Sequence, residues 1–180
     1  SIAVIKPPYL RRSYQSQQTV VSIVSAALPG TAVLAVTAIF IATVLGILFG
    51  ILGALYKGRW PDTLLMVFSI FGMSLPSFVA AILFMWVFAY LLGNLTGLEV
   101  TGSLYEIDEF EGKRLVLKNL ILPAITLGVR PLAVFMQLTR NSMLDVLSMD
   151  YVRTATAKGL SFKTVILKHA LRNALNPVIT

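Results

Sequence analysis

An all-α integral membrane fold of about three spans, followed by basic helices on the cytoplasmic side, is what this sequence of 180 residues predicts. Three observations carry that prediction. The composition is 57% hydrophobic and only 13% charged, whereas soluble domains carry about a quarter charged residues. Apolar runs at 31–56, 63–92 and 119–144 are each long enough to cross a hydrocarbon core of about 30 Å. A basic stretch at 150–180 then follows the last run. The net charge of +7 is the excess expected of loops facing an anionic membrane surface, and the apolar runs argue against a nucleic-acid binder. With no cysteine, disulfides, thiolate chemistry and cysteine-ligated metals are excluded.

Residues 1–27 read as an extracytoplasmic lead-in. Lys6, Arg11 and Arg12 accompany Pro7 and Pro8, and Val20, Val21, Ile23 and Val24 predict a short amphipathic helix lying on the membrane. The start at Ser1 leads us to expect an N-terminal truncation. Residues 28–180 are expected to form one partial transmembrane domain, with its basic helical region at 145–176.

In the first run Ala38, Ala42, Gly46, Gly50, Ala54 and Gly58 recur at every fourth position. Such a smooth stripe lets another helix backbone approach closely, which is how helices associate in lipid. A packed bundle is therefore expected. The turn at 56–62 carries Lys57, Arg59 and an interfacial Trp60.

The second run would measure about 45 Å as one straight helix, too long to span without strong tilt. Gly72, Ser74, Pro76 and Ser77 sit in its middle, and Pro76 removes the hydrogen bond to the carbonyl of Gly72. A break is predicted there. Irregular backbone at membrane depth is tolerated where protein or a wet cavity covers it, so Ser74, Pro76 and Ser77 are candidates for a translocation pathway. A packing kink without contact to substrate is the alternative.

Between the second and third runs lies an acidic stretch with Glu99, Glu106, Asp108, Glu109 and Glu111. Carboxylates clustered in a polar loop, with no His or Cys among them, read as a solvated extramembrane face. The third run contains Arg130 followed by Pro131. A charge at membrane depth costs at least about 2.5–3.5 kcal/mol, so Arg130 should face the bundle or a water-filled cavity. Two readings stay open. Arg130 either lines the pathway and meets an anionic group such as a substrate carboxylate, or it serves the structure through backbone carbonyls or by snorkelling.

In the basic stretch Asp150 can cap a short helix over 151–158, Gly159 can stop it in a left-handed turn, and Ser161 can start a second helix. Val165, Ile166 and Leu167 then fall near Ala170, Leu171, Ala174 and Leu175 at helical spacing, and Lys163, Lys168 and Arg172 recur at intervals of four and five. One face is apolar and the other cationic. Lys57, Arg59, Arg140 and Arg153 flank the span ends on one side, which the positive-inside rule makes cytoplasmic.

The run NSMLDVLSMDYVRTATAKGLSFKTVILKHALRNALNPVIT resembles the cytoplasmic signature of the permeases of ATP-binding-cassette (ABC) importers, in the dipeptide, oligopeptide and nickel branch. The likeness extends back through LILPAITLGVRPLAVFMQLTRNSML, SLPSF, GRWPD and RSYQSQQTVVSIVSAALPGT, covering nearly all the chain after Arg12. The ending HALRNALNPVIT is similar to the first of the two paired permeases. Where the general importer pattern has Glu-Ala-Ala, this chain has Arg153-Thr154-Ala155, as the peptide branch does.

The resemblance implies a partial type I ABC importer transmembrane-domain fold in the bacterial or archaeal inner membrane. It makes 151–158 the coupling helix that docks in an ATPase subunit, with Asp150, Tyr151, Arg153, Thr154, Ala155, Ala157, Lys158 and Gly159 as the contact residues. The implied partners are ATP-binding subunits, a second permease subunit, an extracytoplasmic substrate-binding protein and membrane lipid. Relatives carry one span before this segment and more after it, with 172–180 starting the next. The chain has no G-x-x-x-x-G-K-[ST], so hydrolysis is expected from a partner, and no cofactor, metal or catalytic residue is expected. Peptides or nickel are the implied cargo.

Three rival readings share some of these features. A helix-turn-helix DNA reader could share the helix, Gly and basic helix of 150–175, but the apolar runs before it oppose that. An ATP-independent secondary transporter or channel would explain Arg130 and the broken run. A membrane-embedded enzyme would need a nucleophile or metal set, and His169, the only histidine, lies in a cationic helix away from the acidic stretch and reads as an interface residue.

Overall fold

The computed structural model describes residues 11–108 and 112–179. Its first helix, α1, spans Val20–Leu55, and Thr19 caps it by accepting from the backbone N–H of Ser22 at 3.3 Å. At 36 residues α1 extends about 54 Å. The short amphipathic helix expected around Val20–Val24 is therefore not a separate element. Pro29 lies inside the same helix, which runs on without a break.

A four-residue turn leads to α2 (Trp60–Ser74), with Pro61 in its first turn, where a missing N–H costs nothing. The expected break follows: Leu75 and Pro76 are extended, and α3 (Ser77–Phe84) starts anew, continuing as a π-helix over Met85–Leu91. The two legs meet at a bend of 116°. The run drawn as one crossing at 63–92 is thus two legs, each about 22 Å long and too short to cross a core of about 30 Å alone. By length and composition α1 and the later helix at Lys118–Leu147 can each cross a membrane, and the bent pair makes a third span if counted as one.

After α4 (Gly93–Thr96), strands β1 (Tyr105–Asp108) and β2 (Gly112–Leu115) form an antiparallel hairpin, with Glu106 opposite Arg114. The acidic stretch was read only as a polar loop; of its acids, Glu99 is exposed, while Glu109 and Glu111 lie outside the described residues. Helix α5 (Lys118–Leu147) follows, and two residues later α6 (Asp150–Ala157) begins. The chain goes on through α7 (Phe162–Thr164), a π-helical turn at Val165–Ala170, α8 (Leu171–Ala174) and α9 (Asn176–Ile179).

The contact between α1 and α5 is the core of the bundle. Ala38, Ala42, Gly46, Gly50 and Ala54 are all buried, as the four-residue period predicts. Only Gly58 leaves the pattern, because the helix has ended and Gly58 turns the chain at φ +73°. Facing the stripe, Ala124, Gly128, Leu132, Met136, Thr139 and Met143 are buried on α5. A Cβ on Gly128 would stand 3.0 Å from the carbonyl oxygen of Ala38, one on Gly46 2.7 Å from Cβ of Phe135, and one on Gly50 2.5 Å from Cβ of Thr139. Partner numbers rise together along both helices, so α1 and α5 run parallel. Helix α2 runs the other way against α5: Asp62 meets Arg140, Ser69 meets Gln137, and Gly72 lies against Val129.

On the far side of α1, Val36, Ile39, Phe40, Val44, Leu48 and Leu52 are exposed. That face suits acyl chains, since lipid is as apolar as these side chains.

Because Gly50 has no room for a side chain, Gly50→Val should loosen the α1–α5 pair by about 1–3 kcal/mol, the usual range for overpacking. Thermal unfolding of the detergent-solubilised protein measures this. Gly30→Ala, with nothing within 4 Å of the added Cβ, should leave the transition unchanged or slightly raised.

Candidate functional site

Two regions carry the residues singled out by sequence. The first is α6, built from a short segment that could not stand alone in water. Met149, in an extended conformation, is its N-cap and offers no side-chain bond. Asp150 is the first helical residue and not the hydrogen-bonding cap expected of it; its carboxylate suits the positive end of the helix and lies 3.7 Å from the Arg153 guanidinium. Both side chains are highly exposed, so this pair contributes little. What holds α6 is burial. Val152 and Ala155 enter a cluster with Ala54 of α1, Met143 and Val146 of α5, and Val165, Ile166, Ala170 and Ala174 of the following arm.

Gly159 ends the helix at φ +78°, its N–H donating to the carbonyl of Thr156 at 3.0 Å, the left-handed stop expected from sequence. No atom lies within 4 Å of where its Cβ would be, so the requirement is conformational and not steric. Ser161 then caps α7 by accepting from the N–H of Thr164. Tyr151 closes the corner: its hydroxyl accepts from the Asn173 side-chain amide at 2.8 Å, tying the start of α6 to α8.

The exposed surface of this corner presents Asp150, Tyr151, Arg153, Thr154, Ala157 and Lys158, continuing to Leu160 and to Phe162, which is 68% exposed. It combines aromatic and apolar groups with two cations. Of the residues the resemblance implies as contacts, Ala155 is only 7% exposed and packs inward, where its small size serves the fit of α6 on its own chain. Ala157 keeps the outward position.

The second region lies where the α2–α3 break meets α1 and α5. Ser77 and Arg130 line one cavity of about 470 Å³ together with Ala35, Ala38, Leu75 and Leu127. Its wall is mostly apolar. Ser77 also lines a second cavity of about 390 Å³ whose rim carries Glu99, Lys118 and Asn119. Of the pathway candidates, then, Ser77 and Arg130 share a cavity. Ser74, exposed at the end of α2, and Pro76, the N-cap of α3, shape the bend without lining either space. Arg130 is exposed and makes no ion pair among the described residues. Pro131 has no N–H to give the carbonyl of Leu127, and both residues line the same cavity. Among the described residues no group of His, Cys, Asp and Glu could hold a metal ion.

A third feature escaped the sequence reading. Asp62, at the start of α2, is 4% exposed and takes a two-pronged bond from Arg140 of α5, Nε to Oδ1 at 2.6 Å and Nη2 to Oδ2 at 2.7 Å. The N–H of Gly58 adds a third bond to Oδ2 at 2.9 Å. The positive-inside pattern accounts for Arg140 only as a cation beside a span end, and the turn at 56–62 gives Asp62 no role of its own. Nothing periodic links positions 62 and 140, so the pairing is visible only once α2 lies antiparallel on α5.

Since Ala155 faces inward and Ala157 outward, Ala155→Leu should lower the yield of folded protein by crowding Val165 and Ile166. Ala157→Leu should leave folding intact. Size-exclusion profiles and limited proteolysis of the two variants distinguish these outcomes.

Comparison with known proteins adds an independent line. Residues 46–180 match the family model described as the binding-protein-dependent transport system inner membrane component. The dipeptide transport system permease protein DppB of Alkalihalophilus pseudofirmus is 39% identical over 167 residues, covering 85% of this chain and 50% of that protein. The glutathione transport system permease protein GsiC of Escherichia coli is 41% identical over 147 residues, covering 82% of this chain and 44% of that protein. The chain thus spans about half the length of these curated relatives, which are transport permeases. Its helical architecture fits the type I importer permease fold. On the match over 46–180 and these identities, the chain belongs to the family of inner membrane components of binding-protein-dependent transport systems.

Proposed function

We propose that this chain is part of the membrane-spanning permease subunit of an ABC importer that moves short peptides across the inner membrane. The carrying observation is the α6 corner. In a chain of this family, a short helix is held against the cytoplasm-proximal ends of α1 and α5 by Val152 and Ala155, and it leaves Tyr151, Arg153, Thr154, Ala157 and Lys158 exposed toward a partner. Aromatic anchors and cations on a rigid platform suit a groove with carboxylates at its rim. In this reading the groove belongs to an ATP-binding subunit, and the permease performs no hydrolysis.

The mechanism follows from differential affinity. ATP stabilises the closed ATPase pair, and closure displaces α6. Because α6 shares one apolar cluster with α1, α5 and the arm from Phe162 to Ala174, it cannot shift without pulling on those helices. Nucleotide binding would then bias the bundle between outward and inward openings, each tenfold difference in affinity for the two states being worth about 1.4 kcal/mol. A second permease subunit completes the pathway, and an extracytoplasmic binding protein delivers the cargo.

The relatives named for dipeptide and glutathione transport support a peptide cargo over nickel. Arg130 deepens that reading. Arg130 and Ser77 line the same mostly apolar cavity, and a cation there can hold a peptide carboxylate while the wall accommodates side chains. The lead-in at 1–27 would lie on the extracytoplasmic side, and the arm would return force from α6 to the membrane.

The test is uptake into proteoliposomes containing the full-length permease with its partner subunits. Dipeptide uptake should require ATP hydrolysis and the binding protein. Uptake that proceeds without ATP or without the ATPase subunits would overturn the importer reading in favour of a secondary transporter or channel. Arg130→Gln should weaken uptake of a dipeptide about tenfold, while a peptide amide lacking the terminal carboxylate should be affected much less. Equal uptake of the dipeptide by the variant would remove Arg130 from the pathway.

A further inference from the structure

We infer that the Asp62–Arg140 pair is a coupling clamp: it makes the broken helix pair α2–α3 move with α5, and so links the docking corner to the cavity lined by Ser77. The inference rests on the importer reading above. It assigns positioning roles to Asp62 and Arg140, neither of which lines the cavity or belongs to the exposed face of α6.

The geometry begins at the docking corner. Only Ser148 and Met149 separate α5 from α6, and both are tied back to α5, the N–H of Ser148 to Asp145 O at 3.2 Å and that of Met149 to Val146 O at 3.1 Å. The N–H of Val152 bonds in turn to Met149 O at 3.1 Å. The elbow therefore has few free torsions, and a displacement of α6 reaches α5 as a push or a twist. Arg140 lies on α5 about two turns before that elbow. Its guanidinium grips Asp62 through two short parallel bonds, the arrangement that fixes orientation as well as distance.

Asp62 is in turn fixed to its own chain, through the first turn of α2 and the N–H of Gly58. Gly53 on α1 leaves the space the pair occupies: a Cβ there would stand 3.3 Å from Arg140 Cδ and 3.4 Å from Asp62 Oδ1. Three helices thus meet at one ion pair. Beyond it, α2 is also joined to α5 by the Gln137 amide donating to the buried hydroxyl of Ser69. Then comes the break at Leu75 and Pro76, and Ser77 is the first residue past it. Rigid-body motion of α2 about that break changes the position of the cavity wall. Without the clamp, α2 would follow α5 only through the Ser69–Gln137 bond and the packing of Gly72 against Val129.

A buried ion pair in which one partner is neutralised leaves a charge unpaired, so a purely structural role is the competing explanation. The readout that separates them is the number of peptides taken up per ATP hydrolysed, which a loss of folded protein does not change. In proteoliposomes holding the full-length permease with its ATPase subunits, second permease and binding protein, Asp62→Asn is compared with wild type after normalising to assembled complex. The expected result is continued ATP hydrolysis with uptake per ATP lower by about tenfold, within the range of couplings between distant sites. Arg140→Lys keeps the charge and loses the fork, and is read in place of Asp62→Asn if that variant does not assemble; the same fall is expected.

An unchanged ratio of uptake to hydrolysis in the assembled variant overturns the inference. Failure of both variants to assemble does so too, by making the pair a folding element only. If the wild-type complex itself shows no ATP-driven uptake, the importer reading falls and takes this inference with it. If wild type transports and the variants match it, only the clamp is refuted.

Discussion

The close approach of the α1 and α5 backbones is the constraint on which the rest of this structure depends. In an apolar solvent there is no water to expel, so helices associate through packing, and packing is closest where side chains are smallest. Ala38, Ala42, Gly46, Gly50 and Ala54 provide that surface on one helix, and Ala124 and Gly128 extend it on the other. The contact runs from the level of Ala38 and Gly128 down to that of Gly53 and Arg140, with the two helices parallel. That direction fixes where both C-terminal ends lie. It puts the turn into α2 beside the end of α5, and so brings Asp62 within reach of Arg140.

From this arrangement the two candidate regions acquire different characters. The α6 corner is a platform: its inward residues, Val152 and Ala155, join a cluster with contributions from three parts of the chain, and its outward residues are exposed. The cavity beside the α2–α3 break is a gap, bounded by mostly apolar residues and by the one arginine of the third run's midsection. The two regions also differ in backbone: Pro131 lines the gap and has no N–H to give the preceding turn of α5, whereas Pro76 begins α3 at the bend beside it. The 116° bend between the two legs shows how far the backbone departs from a continuous helix there.

The Asp62–Arg140 pair lies between these regions and has a different physical character from either. Apolar contacts are tolerant of small slides, because neighbouring positions along a helix offer similar surfaces. A forked guanidinium–carboxylate pair is not, since both distances and the plane must be kept together. A bundle held by smooth glycine and alanine stripes has reason to include one such fixed point.

Much of this was legible in the order of residues. The three apolar runs, the four-residue stripe, the break at Pro76, the left-handed stop at Gly159 and the cap at Ser161 are local properties, set by covalent geometry and helical period within a few residues of where they act. The family, too, is written in contiguous motifs. Tertiary structure decided what depends on distant segments meeting. It fused the lead-in helix with α1, since Pro29 alone does not break a helix. It turned Ala155 inward, because one side of an eight-residue helix must be buried and the ends of α1 and α5, with the arm beyond, determine which. It placed Ser77 and Arg130 on one cavity while leaving Ser74 and Pro76 off it, and it paired Asp62 with Arg140 across 78 positions of sequence. Sequence alone determined where this chain bends, spans and stops; the packing of parallel α1 and α5 decided which residues then face one another, because side-chain neighbours in a helical bundle are set by register between helices and no single helix contains that register.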